Sequence, residues 1–397
     1  MNILVVPTTD WIYNPNPNRL NFIFDNLVQR GHNVYVIHFR LSQFSNNTPR
    51  DTWCKLVPVD AIEFKDQSLY YIFNVFRIFK TIKHTVADKK IDVILTANII
   101  PAFLSNFVGG PVVHDYLDHW EESASVCYPN GSFKQRVVKS VVKMITDYNL
   151  LHASIIITVT DELKNMILER LEHLGRWRHE LSPPVTVIPN GVDTSLLYPM
   201  DKDCLKEFNL GSSDIRVIGY VGTLENWVDF EPIFRNLKSL NAILLVVGSA
   251  LYTSYEQYLH ERVRHYGIEQ NVVFTGHVPY SVLREYISIM DIGLNPLLPM
   301  EKNIYSAGGK IFNYLACGVP VLSTDIVSLR GIASQYPGAI TFYKDENLWM
   351  VASSIFDGPH PDVGFLRGIA EQYDWEDISI KYEHALECAI TFSKCGV

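Results

Sequence analysis

Short apolar runs alternate along the chain with longer amphipathic stretches. The runs at Ile3–Val6, Asn33–Phe39, Ile91–Thr96, Val112–His114 and Ser154–Val159 read as strands, and the stretches between them repeat apolar positions with a helical period. Runs that are apolar at consecutive positions belong to strands buried on both faces, as in parallel sheets. The first unit is a strand, a helix over roughly Leu20–Arg30, the turn RGHNV and a second strand, with Gly31 suited to the left-handed residue that ends a helix. Strand and helix in alternation predict a parallel sheet with crossover helices.

The pattern restarts after Pro183-Pro184. Strands are predicted at Thr186–Ile188, Val217–Val221, Ile243–Val247, Val272–Thr275, Ile292–Leu294 and Val319–Ser323, with helical patterns between them. Two separately wound α/β units follow, over 1–183 and 184–374. A last amphipathic helix occupies 375–397, with Ile380, Tyr382, His384, Ala385 and Ala389 marking its period. The stretch Val93–Val113 has no charged residue and the length of a membrane span. Asn98, Pro101, Asn106, Gly109, Gly110 and Pro111 interrupt it, so it reads instead as strand, short helix near Ala102–Phe107, and strand.

Composition narrows the function classes. Of 397 residues, 47% are hydrophobic and 19% charged, which suits sizeable cores and excludes a disordered chain. Lys and Arg number 34 against 43 Asp and Glu, a net charge of -9, so wrapping nucleic acid is not expected. Six scattered cysteines, with no C-x-x-C pair, suggest reduced thiols and no metal site. The segment MNILVVPTTDW lacks the basic start of a signal peptide, and a cytoplasmic location is expected.

In open parallel sheets, ligands bind beyond the carboxyl ends of the strands, where glycine lets backbone approach a phosphate. Three loops fit. Gly222-Thr223 follows one strand, Gly248-Ser249 follows another, and Ser306-Ala307-Gly308-Gly309-Lys310 opens a helix. In the third, small residues leave amide groups open, the helix start adds partial positive charge and Lys310 adds a full one. A diphosphate cradle is one reading; an ordinary turn with a solvated lysine is the other.

The segments VIPNGVDTSLLYP (187–199), GYVGTLENWVDFEPI (219–233), LLVVGSA (244–250), NVVFTGHVPYSVLREYISIMDIGLNP (271–296), KIFNYLACGVPVLST (310–324) and YDWEDISIKYEHAL (373–386) occur in that order. Together they resemble the donor-binding half of family-4-like retaining glycosyltransferases of the GT-B fold. The first half resembles that family more loosely, through RGHNV and VVHDYLDHW. The resemblance implies an α/β fold of two Rossmann-like domains facing a cleft, with the final helix crossing back to the N-terminal domain. It implies a nucleotide-diphosphate sugar as substrate, a hydroxyl acceptor, retention of configuration and no cofactor or metal. By position, Gly222 and Thr223 would line the diphosphate and sugar, with Gly248, Ser306, Gly308 and Gly309 nearby. Val278 would meet the base, and Lys310 would neutralise the diphosphate. His114 would reach the donor sugar across the cleft, its alternative being a satisfied histidine at a strand end.

Two departures stand out. The family's paired glutamates fall on Tyr305 and Asn313 here, and Asn313 could keep one or two neutral bonds to the ribose. Where the family has Arg and Lys after the first glycine loop, this chain has Glu225, Trp227 and Asp229. These departures keep a binding protein with a decayed site in view, and an epimerase of the same fold is a further competitor. In the loop Thr8–Arg19, Asn16 and Arg19 could touch the acceptor, while Asn18 reads as a helix cap. Two aromatic and basic stretches, 70–84 and 133–145, could lie on an anionic membrane surface, at the inner face of the membrane and near a lipid-linked acceptor; wet faces of core helices are the alternative.

Overall fold

The computed structural model describes residues 1–64, 67–125, 128, 131–178, 183–201, 215–251, 253–305 and 308–394. The chain forms two compact units, Met1–Pro189 with Trp375–Val397, and Asn190–Asp374.

The first unit is built on strands β1 (Asn2–Val6), β2 (Asn33–His38), β3 (Lys55–Pro58), β4 (Val93–Thr96), β5 (Val112–Tyr116), β6 (Ile155–Thr158) and β7 (Val185–Val187). They pair in the order β3-β2-β1-β4-β5-β6-β7, every pair parallel. Consecutive apolar residues are explained by two cores: Ile3 and Val5 face one, Leu4 and Val6 the other. The uncharged stretch at 93–113 is β4, a helix Ile99–Ser105 and the start of β5. No helix among the described residues is long and apolar enough to cross a membrane.

One face of this sheet is covered by the helices Arg19–Gln29 and Trp375–Lys394. Leu20, Ile23, Phe24 and Leu27 of the former meet Ile378, Tyr382, Ala385, Leu386 and Ala389 of the latter. Ile380 points outward, so the buried stripe of the last helix is not quite the one read from its sequence. Asn18 caps the first helix, its side chain accepting from the Leu20 amide while Asn21 reaches back to the Asn18 amide.

The second unit carries β8 (Arg216–Val221), β9 (Ala242–Val247), β10 (Val272–Gly276), β11 (Ile292–Asn295), β12 (Val321–Thr324) and β13 (Ile340–Tyr343) in the parallel order β10-β9-β8-β11-β12-β13. Both sheets therefore reverse strand order beside their first strand, between β1 and β4 and between β8 and β11, where doubly wound sheets hold ligands. The division between units falls at Pro189–Asn190 and not at 183–184. The reason is β7, which pairs with β6 and so closes the first sheet where the sequence pattern suggested the start of the second.

Candidate functional site

At the reversal point of the second sheet, β8 is followed by Gly222 and its neighbour β9 by Gly248, both with positive φ, +146° and +137°. The Gly222 amide donates to the Val247 carbonyl at 3.0 Å, and the Gly248 amide to the Gly276 carbonyl at 2.9 Å. A Cβ at Gly248 would land on the Gly222 carbonyl oxygen. The two strand ends thus turn away together, with only hydrogen atoms between their backbones. Thr223 follows, its carbonyl accepting from the Tyr220 hydroxyl at 2.8 Å.

The helix Lys310–Ala316 brings its first residue to this turn. Lys310 Nζ lies 4.1 Å from the centroid of the Tyr220 ring and 3.2 Å from where a Cβ of Gly222 would stand. Burial against the ring and the turn pulls the ammonium down from its ordinary value to about 7. The helix is anchored by Tyr314, whose hydroxyl accepts from the Val221 amide at 2.7 Å and donates to the Leu294 carbonyl at 3.2 Å. A side chain at Gly293 would strike the Tyr314 ring, so glycine on β11 makes room for that anchor.

Gly308 and Gly309 differ from the other two glycines. Neither has a positive φ, and a Cβ on either would meet nothing closer than 3.8 Å among the described residues. Neither backbone conformation nor packing among the described residues requires a glycine at these two positions. Ser306 lies outside the described residues. Asn313, half-buried one turn into the helix, makes no side-chain hydrogen bond among the described residues. Val278 is half-buried against the second core, just beyond the Gly276 turn that binds Gly248.

Glu225 does not stand as a bare charge beside Lys310. It is fully buried, its carboxylate accepting from the Leu251 amide at 3.0 Å and the Thr253 hydroxyl at 2.7 Å. It therefore ties the loop after β8 to the loop after β9. Trp227, in the loop after β8, lies beneath Lys302 of the helix Glu301–Ile304, whose Nζ is 3.7 Å from the ring centroid. Sequence reading passed over Tyr220, Tyr314 and Lys302. The two tyrosines sit inside the quoted motifs, but their hydroxyl partners come from distant segments.

In the first unit the expected contacts change. His114 stands in the middle of β5, not at its end, because β5 continues to Tyr116. The side chain is fully buried, with Nδ1 3.4 Å from Thr96 Oγ1 and no partner for Nε2 among the described residues. A residue enclosed in this way does not touch substrate, and the catalytic role is withdrawn. Burial pushes this imidazole down to about 4. Protonation below its unfolded value of about 6.5 then favours unfolding, a cost growing to about 3 kcal/mol as pH falls to 4. His114→Leu should remove that part of the acid sensitivity, read as a flatter slope of unfolding free energy between pH 6.5 and 4. An unchanged slope would disprove it. The histidine just beyond β5 is His119, in the same VVHDYLDHW motif, with Nδ1 3.8 Å from Glu121.

Arg19 is also corrected. It is buried, with one guanidinium nitrogen donating to the Ile188 carbonyl at 2.8 Å and Nε 3.7 Å from Asp115. Tyr382 donates to the same carboxylate at 2.6 Å. Burial raises the Asp115 carboxyl, with Arg19 and the Tyr382 hydrogen bond opposing. Arg19 therefore joins the first helix, β5 and the last helix, and is not available to an acceptor. Asn16 is half-buried, its amide donating to Asn14 Oδ1 at 3.0 Å. No three His, Cys, Asp or Glu side chains gather as a metal site among the described residues.

Comparison with known proteins gives a consistent set of likenesses. Residues 23–196 match the family model described as Glycosyltransferase Family 4, and residues 215–351 the one described as Glycosyl transferases group 1. A putative teichuronic acid biosynthesis glycosyltransferase, TuaH of Bacillus subtilis (strain 168), is 23% identical over 238 residues, 59% of this chain and 56% of that protein. The chain thus spans little more than half the length of this curated relative. Among solved structures, sucrose-phosphate synthase from Thermosynechococcus elongatus superposes with a TM-score of 0.75 at 16% identity over 98% of both chains. Anabaena HepE in complex with UDP does so with a TM-score of 0.67 at 16% identity, over 98% of this chain and 100% of that one. At such identities the structural likeness concerns the fold.

Proposed function

The chain is a family-4-like glycosyltransferase of the GT-B type, and from that premise we propose that it moves a sugar from a nucleotide-diphosphate donor to a hydroxyl acceptor with retention of configuration. The observation that carries the reading is the Lys310 ammonium held against the Gly222 turn at the strand reversal of the second sheet. Two glycines that packing among the described residues does not require, Gly308 and Gly309, precede it. Backbone left bare beside a cation is what a diphosphate needs to come within hydrogen-bonding distance.

In this reading Lys310 takes the charge of the diphosphate, Gly222 and Thr223 line the diphosphate and sugar, Gly248 shapes the turn, Val278 meets the base and Asn313 bonds the ribose. Retention follows when the departing diphosphate oxygen accepts the acceptor's proton on the same face of the sugar. The protein then acts by positioning and by stabilising negative charge on the leaving group. UDP is the first nucleotide to try, because the Anabaena relative was solved with it. In this reading the acceptor hydroxyl belongs to a glycan or lipid-linked glycan, and the likeness to a protein named for teichuronic acid biosynthesis supports that choice.

Calorimetry of the full chain with a panel of nucleoside diphosphates, followed by mass spectrometry of nucleotide-sugar reactions with cell extract, tests this reading. One nucleotide should bind, and its sugar should appear on an acceptor with the anomeric configuration retained. Binding with no transfer would favour the decayed-site alternative prompted by Tyr305 and Asn313. Donor conversion without any acceptor would favour an epimerase.

A further inference from the structure

The helices Gln67–Lys89 and Phe133–His152 flank Ile99–Ser105 on the face of the first sheet opposite the last helix. Their inner sides are accounted for. Tyr70, Tyr71, Ile78 and Ile82 enter the core, and Asn149 Nδ2 donates to the Ile99 carbonyl at 2.8 Å. Their outer sides are not. Phe76 is 85% exposed, Phe133 79% and Met144 66%, with Ile72, Phe73, Val137 and Val141 also exposed. Positions 133, 137, 141 and 144 form one stripe along their helix, as 69, 72, 73 and 76 do along the other. Large apolar side chains gathered in this way mark an interaction surface.

The charge within the two stretches that carry them has one sign. The protein carries a net -9, yet no Asp or Glu occurs between 67 and 87 or between 131 and 146. Arg77, Lys80, Lys83, Lys134, Arg136, Lys139 and Lys143 occupy those stretches. Glu122 and Asp147 pair with Lys139 and Lys143, while Arg77, Lys80, Lys83 and Lys134 have no ion pair among the described residues. An anionic surface would repel most of this protein and attract this face. Aromatic rings beside long basic side chains suit the boundary between phosphate headgroups and acyl chains, where the basic stems also lie against apolar material.

We propose that these two outer helix faces seat the first unit on an anionic lipid bilayer. The inference rests on the glycosyltransferase reading and deepens it, by placing the acceptor's lipid at this face. Crossover helices begin at the carboxyl edge of the preceding strand, so both apolar stripes lie in the halves nearest the ligand edge of the first sheet. A bilayer met there holds a lipid-linked hydroxyl close to that edge.

The test is co-sedimentation of the full chain with vesicles of phosphatidylglycerol and phosphatidylcholine, against vesicles of phosphatidylcholine alone. Binding is expected to the anionic vesicles only, and to weaken at about 0.5 M salt. The double variant Phe76→Asp/Phe133→Asp should partition about tenfold less, and Lys80→Glu/Lys134→Glu should also lose binding while keeping the aromatics. Both should bind nucleotide as the unaltered chain does, which checks that they fold and separates this inference from the donor site. Unaltered protein left in the supernatant, or variants that sediment equally, would overturn the proposal. So would light scattering that shows a dimer broken by the aspartates, which would assign the face to a second copy of the chain.

Discussion

Lys310→Ala should weaken binding of the cognate nucleoside diphosphate by about tenfold to a hundredfold, since bonds to a charged group contribute about 1.5–3 kcal/mol. Turnover should fall further, by about 100- to 1000-fold, because removing a donor that stabilises a leaving group costs that much where water is excluded. The burial that lowers Lys310 to about 7 also gives the site a pH signature. A diphosphate binds the charged ammonium. Below pH 7 the free protein already carries that proton, and affinity is greatest. Above pH 7 the proton must be taken up on binding, so affinity should fall by as much as tenfold per pH unit until the complex itself titrates. Calorimetry at pH 8.5 in two buffers of different ionisation enthalpy should report uptake approaching one proton, and Lys310→Ala should abolish it. Near-normal turnover in that variant, or a proton balance equal in both proteins, would remove the phosphate role.

The second large effect separates two kinds of glycine. Gly248→Ala places a methyl on the Gly222 carbonyl and forces an L-residue to hold φ near +137°. The cost should be about 2–4 kcal/mol of stability, with nucleotide binding lost because Gly222 is displaced. Among the described residues Gly308→Ala meets only the Lys310 side chain, at an ordinary 3.9 Å, and has no positive φ to resist it. Its thermal midpoint should stay within a degree or so of the unaltered protein. Its nucleotide affinity should still drop, because the methyl would occupy space meant for phosphate. Two variants equal in stability, or Gly308→Ala binding as tightly as the unaltered chain, would refute the distinction.

The chain's sequence was enough to show two wound α/β units, because strands buried on both faces are apolar at every position and glycine punctuates their carboxyl ends. Gly222, Gly248 and Lys310 were visible for the same reason: each follows an apolar run or opens an amphipathic one. The edge strands β3 and β13 were not visible. Lys55–Pro58 has no fully buried residue, and Ile340–Tyr343 is buried only at its ends. A strand covered on one side only loses the continuous apolar signal. β7 was visible as a strand but not as a member of the first sheet, since pairing partners leave no local trace.

Side-chain roles divided in the same way. That Asn18 caps a helix depends on three neighbouring residues, and the sequence contains them all. That His114 and Arg19 are enclosed, that Glu225 turns toward Leu251 and Thr253, and that Tyr220 and Tyr314 hold the lysine and its helix depends on residues far apart in the chain. Desolvation and long-range hydrogen bonds are properties of what surrounds a group in space. The sequence by itself determined where glycines leave the backbone open at the strand ends. Only tertiary packing decided which charged side chains are enclosed, and at which pH Lys310 carries its proton.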